Sequence, residues 1–395
     1  MPDNFGFGGF RGFSGFRFSR FSGFIGFSGF VIALAVGALA IPAVAQTSSG
    51  ALAGAGTIPG LNPNSPVKVL PVRGSIYVLM GAGANITLSV GLDGVLTVDS
   101  GAAAMSDQVL TAIRGVQQWV EAKAAASAPP LLYGAETRNS IVEARRADLP
   151  PKPIRYIVDT SIAADHIGGN VALANSGKTF TGGNVAGQLS DVSQGAAILG
   201  HEHLQNRMAN PPAGQPAFPT RALLTDTYYT DSMKLSSFFN GEGIVLMHQP
   251  AAFTDGDTIV YFRGSDVIAA GEVLRTTTYP VIDTARGGTI NGVIEGLNHI
   301  IDLSVPEFRS EGGTIVIPAY GRICDIADVA YYRDMTTILR DRIQDMVKKG
   351  MTLEQVKAAK PTADYDGRYG ATSGPCTTAM FIEAVYKTVP RGGTK

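Results

Sequence analysis

Two short stretches of the chain concentrate the side chains that can do acid–base or metal chemistry. In the first, Ser161 lies four and five residues before Asp165 and His166, so a hydroxyl, a carboxylate and an imidazole fall close together. These are the groups of a nucleophilic triad, but no Gly-x-Ser-x-Gly elbow surrounds the serine to expose it. Asp165 can instead cap the helix that follows, with His166 hydrogen-bonded beside it. The second stretch is His201-Glu202-His203. Residues two apart share a face of an extended chain, so both imidazoles can approach one ion. Two imidazoles without a third partner make a poor closed site, however, and Glu202 near a helix start is accounted for by the helix dipole alone. His248 and His299 fall in an expected strand and an expected helix, and read as core or surface residues rather than ligands.

The elements that must position these groups follow from hydrophobic periodicity. SIYVLM (75–80), ITLSVG (86–91) and GVLTVDS (94–100) are β-rich and separated by Gly or Asp-Gly turns, which predicts a meander. Ser106 can cap a helix whose apolar residues Val109, Leu110, Ile113 and Val116 keep a 3.6 period. IRYIVDT (154–160) and AAILG (196–200) are further strands, with helices in GGNVALANS and HEHLQNRM. The second half repeats the logic. GIVLMHQP (243–250), DTIVYFRG (257–264), DVIAAGE (266–272) and GGTIVIPAY (312–320) read as strands. Residues 291–303 and Asp328–Lys349 read as helices, and Thr352 caps a shorter one. Two runs of strands, each followed by helices, predict an α/β fold: a four-layer αβ/βα sandwich of two similar halves.

Composition bounds the function. The chain has 395 residues and a formal net charge of −1, with no basic patch of the kind nucleic acid requires. Its two cysteines, Cys324 and Cys376, form no CxxC or Cys/His cluster; they either pair after export or lie buried as separate thiols. Residues 1–30 are Gly-Phe units carrying Arg11, Arg17 and Arg20, followed by the apolar run VIALAVGALAIPAVA. With the small-x-small ending Ala43-Val44-Ala45, this reads as a secretory signal peptide over residues 1–45. An uncleaved anchor is the alternative, although the run from Val31 to Ala40 is short for a span. The expectation is a periplasmic or secreted protein, off the membrane once the signal is removed. Residues 46–70 read as a flexible lead-in, 71–390 as the folded domain, and about 122–152 as a Pro/Ala-rich surface insertion.

Over residues 70–370 the order of segments resembles the metallo-β-lactamase superfamily. GLDGVLTVDSG is similar to the family's early strand–turn–strand ending in Asp-x-Gly. Thr160-Ser161-Ile162-Ala163-Ala164-Asp165-His166-Ile167-Gly168-Gly169 matches the frame of its Thr-His-x-His-x-Asp-His loop and following Gly-Gly. AAFTDGDTIVYF resembles the His-Thr-x-Gly-Asp strand start, GE in DVIAAGEVL stands at the family's Gly-Asp, and IPAYG resembles the Pro-Gly-His-Gly turn. The resemblance implies the metallo-β-lactamase type of sandwich.

It also implies a two-metal hydrolase from which ligands have been lost. The three-imidazole site offers Ser161, Ala163 and Phe253, of which the last two can ligate nothing. The neighbouring site keeps Asp165 and His166, has Glu272 at the bridging carboxylate and Tyr320 at the last histidine. Two readings follow. In one, Asp165, His166 and Glu272 hold a single zinc or iron ion, with Asp165 catalytic, and hydrolyse an ester, lactone or amide-type small molecule. In the other no metal binds, Glu272 pairs with an arginine such as Arg275, and the chain is a pseudoenzyme that binds a small molecule or serves a structural role. The walls of either cleft are expected in 122–152 and 209–235, with Tyr228 and Tyr229 as candidate contacts.

Overall fold

A computed structural model describes residues 65–126, 152–179, 195–212, 214–235, 238–304 and 312–390. The expected signal peptide, and the expected insertion beyond residue 126, lie outside these residues. No helix among the described residues is long and apolar enough to cross a membrane.

The expected meander forms. Strands β1 (Lys68–Arg73), β2 (Ile76–Met80), β3 (Ile86–Gly91) and β4 (Gly94–Val98) pair antiparallel in sequence order. Helix α1 (Ser106–Ala126) then crosses to β5 (Ile154–Val158), which lies parallel to β4. Two short helices, α2 (Ala164–Ile167) and α3 (Asn170–Asn175), precede the parallel strand β6 (Ala197–His201). Helix α4 (Glu202–Ala209) leads to the parallel edge strand β7 (Asp226–Tyr228). The first sheet is therefore β1 to β7 in chain order.

A second sheet holds β8 (Ser232–Lys234), β9 (Ile244–Gln249), β10 (Asp257–Phe262), β11 (Val267–Ala269) and, after helix α5 (Ile290–Leu303), β12 (Ile315–Ile317). Its order is β12-β11-β10-β9-β8, antiparallel except where β12 returns beside β11. Helices α6 (Ile326–Lys348), α7 (Leu353–Ala358), α8 (Asp366–Tyr369) and α9 (Thr378–Thr388) complete the chain.

Period-2 alternation stacks the layers. In β2, Ile76 and Val78 face a core shared with Leu246, Val260 and Phe262 of the second sheet, while Tyr77 and Leu79 face α1 residues Val109, Ile113 and Val116. In β9 and β10, Val245, Met247 and Ile259 point the other way, onto Val293, Leu297 and Ile300 of α5 and Leu339 of α6. Helix, sheet, sheet, helix is the predicted four-layer sandwich. Each buried side chain of this kind contributes about 1.5–3 kcal/mol, so three apolar cores supply most of the hold between the layers.

Sequence and structure differ at element ends. β1 begins at Lys68 and takes in the last residues read as a lead-in, and α1 runs about five residues into the expected insertion, to Ala126. β12 stops at Ile317 because Pro318 has no N–H to donate. β7, β8, α8 and α9 are short or flanked by turn residues, and periodicity did not single them out. Cys324 and Cys376 are separate buried thiols, pushed up to about 12 and about 11 by burial.

Close packing is tightest where α5 begins. The Thr289 hydroxyl caps the helix by accepting from the Gly292 N–H at 2.9 Å, and a Cβ at 292 would run into the Ala251 carbonyl oxygen. Gly292→Ala is expected to cost about 1–3 kcal/mol through overpacking, seen as a lower urea midpoint with an unchanged slope.

Candidate functional site

Asp99 directly follows β4, and its backbone takes a left-handed φ of 66° that Asp tolerates better than most residues. That turn aims its carboxylate across the end of β5. Oδ1 accepts from the Thr160 N–H at 2.9 Å, and the Thr160 hydroxyl adds a bond to Oδ2 at 2.8 Å. The same Oδ2 lies 2.8 Å from His166 Nδ1. On its far side the imidazole places Nε2 3.1 Å from Glu272 Oε1.

Glu272 arrives from the second sheet. The expected strand DVIAAGE ends early, at Ala269, and Gly271 (φ 53°) turns the chain into one 3-10 turn; a Cβ on it would lie 2.8 Å from the Thr160 side chain. Three residues later Arg275 folds back, with Nη1 2.9 Å from Glu272 Oε2. Its guanidinium carbon lies 4.0 Å from the centre of the Tyr320 ring, and the Tyr320 hydroxyl donates to Asp165 Oδ2. The groups form one connected set: Asp99, His166, Glu272, Arg275, Tyr320 and Asp165. His166, Asp99 and Glu272 are almost completely sealed from solvent, their side chains 0%, 3% and 2% exposed.

Electrostatics sets the protonation. Burial alone would lower the His166 pKa, but the carboxylates of Asp99 and Glu272 outweigh it and raise the value well above the usual 6.5. That direction favours the protonated ring, whose two nitrogens face the two carboxylates. Burial works against ionisation of Glu272, yet His166 and Arg275 hold its carboxyl below the ordinary range. Next door, burial raises Asp159 well above normal despite the Asn170 amide at 2.7 Å, and its Oδ1 has no partner among the described residues. Burial also pushes Asp257 up to about 8, although Thr254 donates to it twice. Between about pH 4 and about 8 the folded chain keeps a proton on Asp257 that the unfolded chain has released. This group's share of stability therefore falls as pH rises through that window. In Asp257→Asn the slope of stability against pH there is expected to flatten, as urea midpoints at several pH values would register.

The expected residues fall into three places. Asp165, His166 and Glu272 come together, with donor atoms within 4.8 Å of one another, and Tyr320 joins them. Ala163 and Phe253 sit instead in the apolar core of the first half. Ser161 is buried, and its hydroxyl accepts from the Ala163 N–H at 3.2 Å. The triad is not assembled, because both nitrogens of His166 face Asp99 and Glu272. Nor does Asp165 cap α2: Ala163 is the N-cap residue and lends no side-chain bond. Tyr228 is a buried packing residue bonded to Thr258 at 2.8 Å, and Tyr229 is exposed.

Arg275 appears in the sequence only as one way to pair Glu272; its central position follows from the tertiary fold. His248 is the larger surprise. It stacks on His201 at 3.5 Å between ring centres, with His203 edge-on to both, so HEH gains the third imidazole it lacked. His299 stands apart, bonded to Gln249 at 3.0 Å.

No protein-family model matches the sequence, and no curated protein does. Among solved structures, the inverting sec-alkylsulfatase Pisa1 from Pseudomonas sp. is similar over 83% of this chain and 51% of its own, at 14% identity and a TM-score of 0.47. The chain thus spans about half the length of that enzyme. A metallo-β-lactamase from Pontibacter korlensis is similar over 69% of this chain and 99% of its own, at 11% identity and a TM-score of 0.43. What defines the architecture is internal: helices on the outer faces, two mixed sheets within, and the strand order of each. The chain folds as a four-layer αβ/βα sandwich, the architecture that the resemblance of its sequence to the metallo-β-lactamase superfamily implies.

Proposed function

We propose that this chain is an exported, metal-independent derivative of a hydrolase fold, retained as a binding or structural protein. The observation that carries the reading is His166, whose two ring nitrogens are both engaged by buried carboxylates. A ligating imidazole must be neutral and offer a lone pair. Here both ring nitrogens face carboxylates, the raised pKa favours a proton on each, and Arg275 at 2.9 Å already supplies positive charge to Glu272. The donor set does not fit a catalytic ion, which also needs a position open to water.

One observation favours a second reading. Asp165, His166 and Glu272 keep donors within 4.8 Å, so an ion that displaced Arg275 would find three ligands of a mononuclear hydrolase. Assays of the purified chain on ester, thioester, lactone and amide substrates, with zinc, iron or manganese added, separate the two. The expected outcome is no turnover above background. Hydrolysis that disappears in Asp165→Ala would replace the first reading with the second.

A further inference from the structure

We propose that His201, His203 and His248 form a binding site for one borderline divalent transition-metal ion, with zinc the natural occupant. The site shares no residue with the buried centre and does not depend on how that centre is read.

Three elements converge to make it. His201 ends β6 of the first sheet, His203 stands in the first turn of α4, and His248 comes from β9 of the second sheet. One nitrogen from each lies within 4.8 Å of the others. Zinc–nitrogen bonds of about 2.0–2.1 Å put tetrahedral donors about 3.3 Å apart, so the trio has to close by at most about 1.5 Å.

The backing of two rings is already that of ligands. The Asp255 carbonyl oxygen faces both His203 Nδ1, at 3.0 Å, and His248 Nε2, at 2.8 Å. A carbonyl only accepts, so each of those nitrogens carries the hydrogen. The lone pairs are thereby fixed on His203 Nε2 and His248 Nδ1. A hydrogen bond from the second ring nitrogen to a backbone carbonyl is how metal-binding histidines are commonly oriented.

His201 supplies the third donor. Its ring lies 8° from parallel with His248, which aims the lone pairs alongside one another rather than at one point. Ligation therefore requires His201 to tilt. The ring is 3% exposed with Tyr228 edge-on at 4.9 Å, and its hydrogen bond, accepted by Nδ1 from the His203 N–H at 3.3 Å, must be given up or the ring turned about its broad terminal torsion. Burial and the neighbouring imidazoles hold His201 down to about 4, and burial lowers His248, so both rings are neutral at neutral pH.

The surroundings select the ion. Two carboxylates, Asp231 and Asp255, act on the rings from nearby, and Arg207 engages Asp255 at 2.7 Å, so the donor set of the trio is three nitrogens. Imidazoles favour zinc and its neighbours over magnesium or calcium. The His203 side chain is 44% exposed, so an ion can arrive from solvent and complete its shell with water.

The test is titration of the metal-stripped full chain with Zn²⁺ by calorimetry and with Co²⁺ by visible absorption. One equivalent is expected to bind, with the cobalt spectrum of a tetrahedral nitrogen site. His203→Ala, at a half-exposed position that does not threaten folding, and His248→Asn should each weaken binding at least about tenfold. Asp165→Asn should leave it unchanged. Absence of binding, or binding indifferent to His203→Ala, overturns the proposal. So does binding lost in Asp165→Asn, which would place the ion at the buried centre instead.

Discussion

Arg275→Met is expected to lower the stability of the folded chain by about 3–5 kcal/mol, the usual result of stripping one partner from a buried ion pair. The guanidinium is 8% exposed and touches Glu272 at 2.9 Å, so its loss leaves a carboxylate with only His166 to balance it. Stacking on Tyr320 adds a smaller amount, about 2 kcal/mol for a desolvated cation over a ring. The two contributions can be told apart in a double-mutant cycle. Arg275→Met with Glu272→Gln should regain most of the loss if the ion pair dominates. Tyr320→Leu should cost less than Arg275→Met by itself. Equilibrium urea denaturation supplies all four values, and a double variant no more stable than Arg275→Met would refute the assignment.

The second large effect belongs to His166. His166→Leu places the carboxylates of Asp99 and Glu272 in a sealed interior without the cation between them, so a loss of about 3–5 kcal/mol is expected near pH 7. The pH dependence gives the sharper test. In the parent, the raised His166 value contributes stability that is complete below about 6.5 and lost as pH rises through the folded value. The depressed Glu272 value contributes stability present above about 4.5 and lost as pH falls through its folded value. The parent's contribution from this pair is therefore greatest between those limits. In the variant the Glu272 carboxyl loses the imidazole that holds its value down, and its uptake of a proton in acid offsets the missing charge, so the deficit should shrink on going from pH 7 to pH 5. A deficit of the same size at both would mean that packing around residue 166, and not charge, decides the outcome.

Much of this was legible in the sequence, and the parts that were not share a cause. The layers follow from period-2 and period-3.6 patterns, which are local, and the Asp-His pair with its two glycines marked the end of β5. Arg275 was weighed as a partner for Glu272, but two opposite charges three residues apart usually describe a solvated turn. What buries them is the strand ending at Ala269 and the Tyr320 ring from the far side of β12. His248 carried no signal of its own, being one polar residue in the apolar strand Ile244–Gln249. Its partners His201 and His203 belong to the other half of the chain, and only the face-to-face packing of the sheets joins them. Asp99 shows the same limit: its Asp-x-Gly setting was visible, but its contact with a histidine 67 residues later was not.

The buried charges are also distributed between the two halves. Asp99 and His166 follow strands of the first sheet, whereas Glu272, Arg275 and Tyr320 follow strands of the second. Pulling the sheets apart would break the His166–Glu272 contact and the Tyr320–Asp165 bond at the moment the shared apolar core is lost. An intermediate with one half folded thus carries two penalties at once. The halves should melt together in one transition, and a fragment ending near residue 235 should not hold its structure alone. A centre of this kind ties two halves into one cooperative unit.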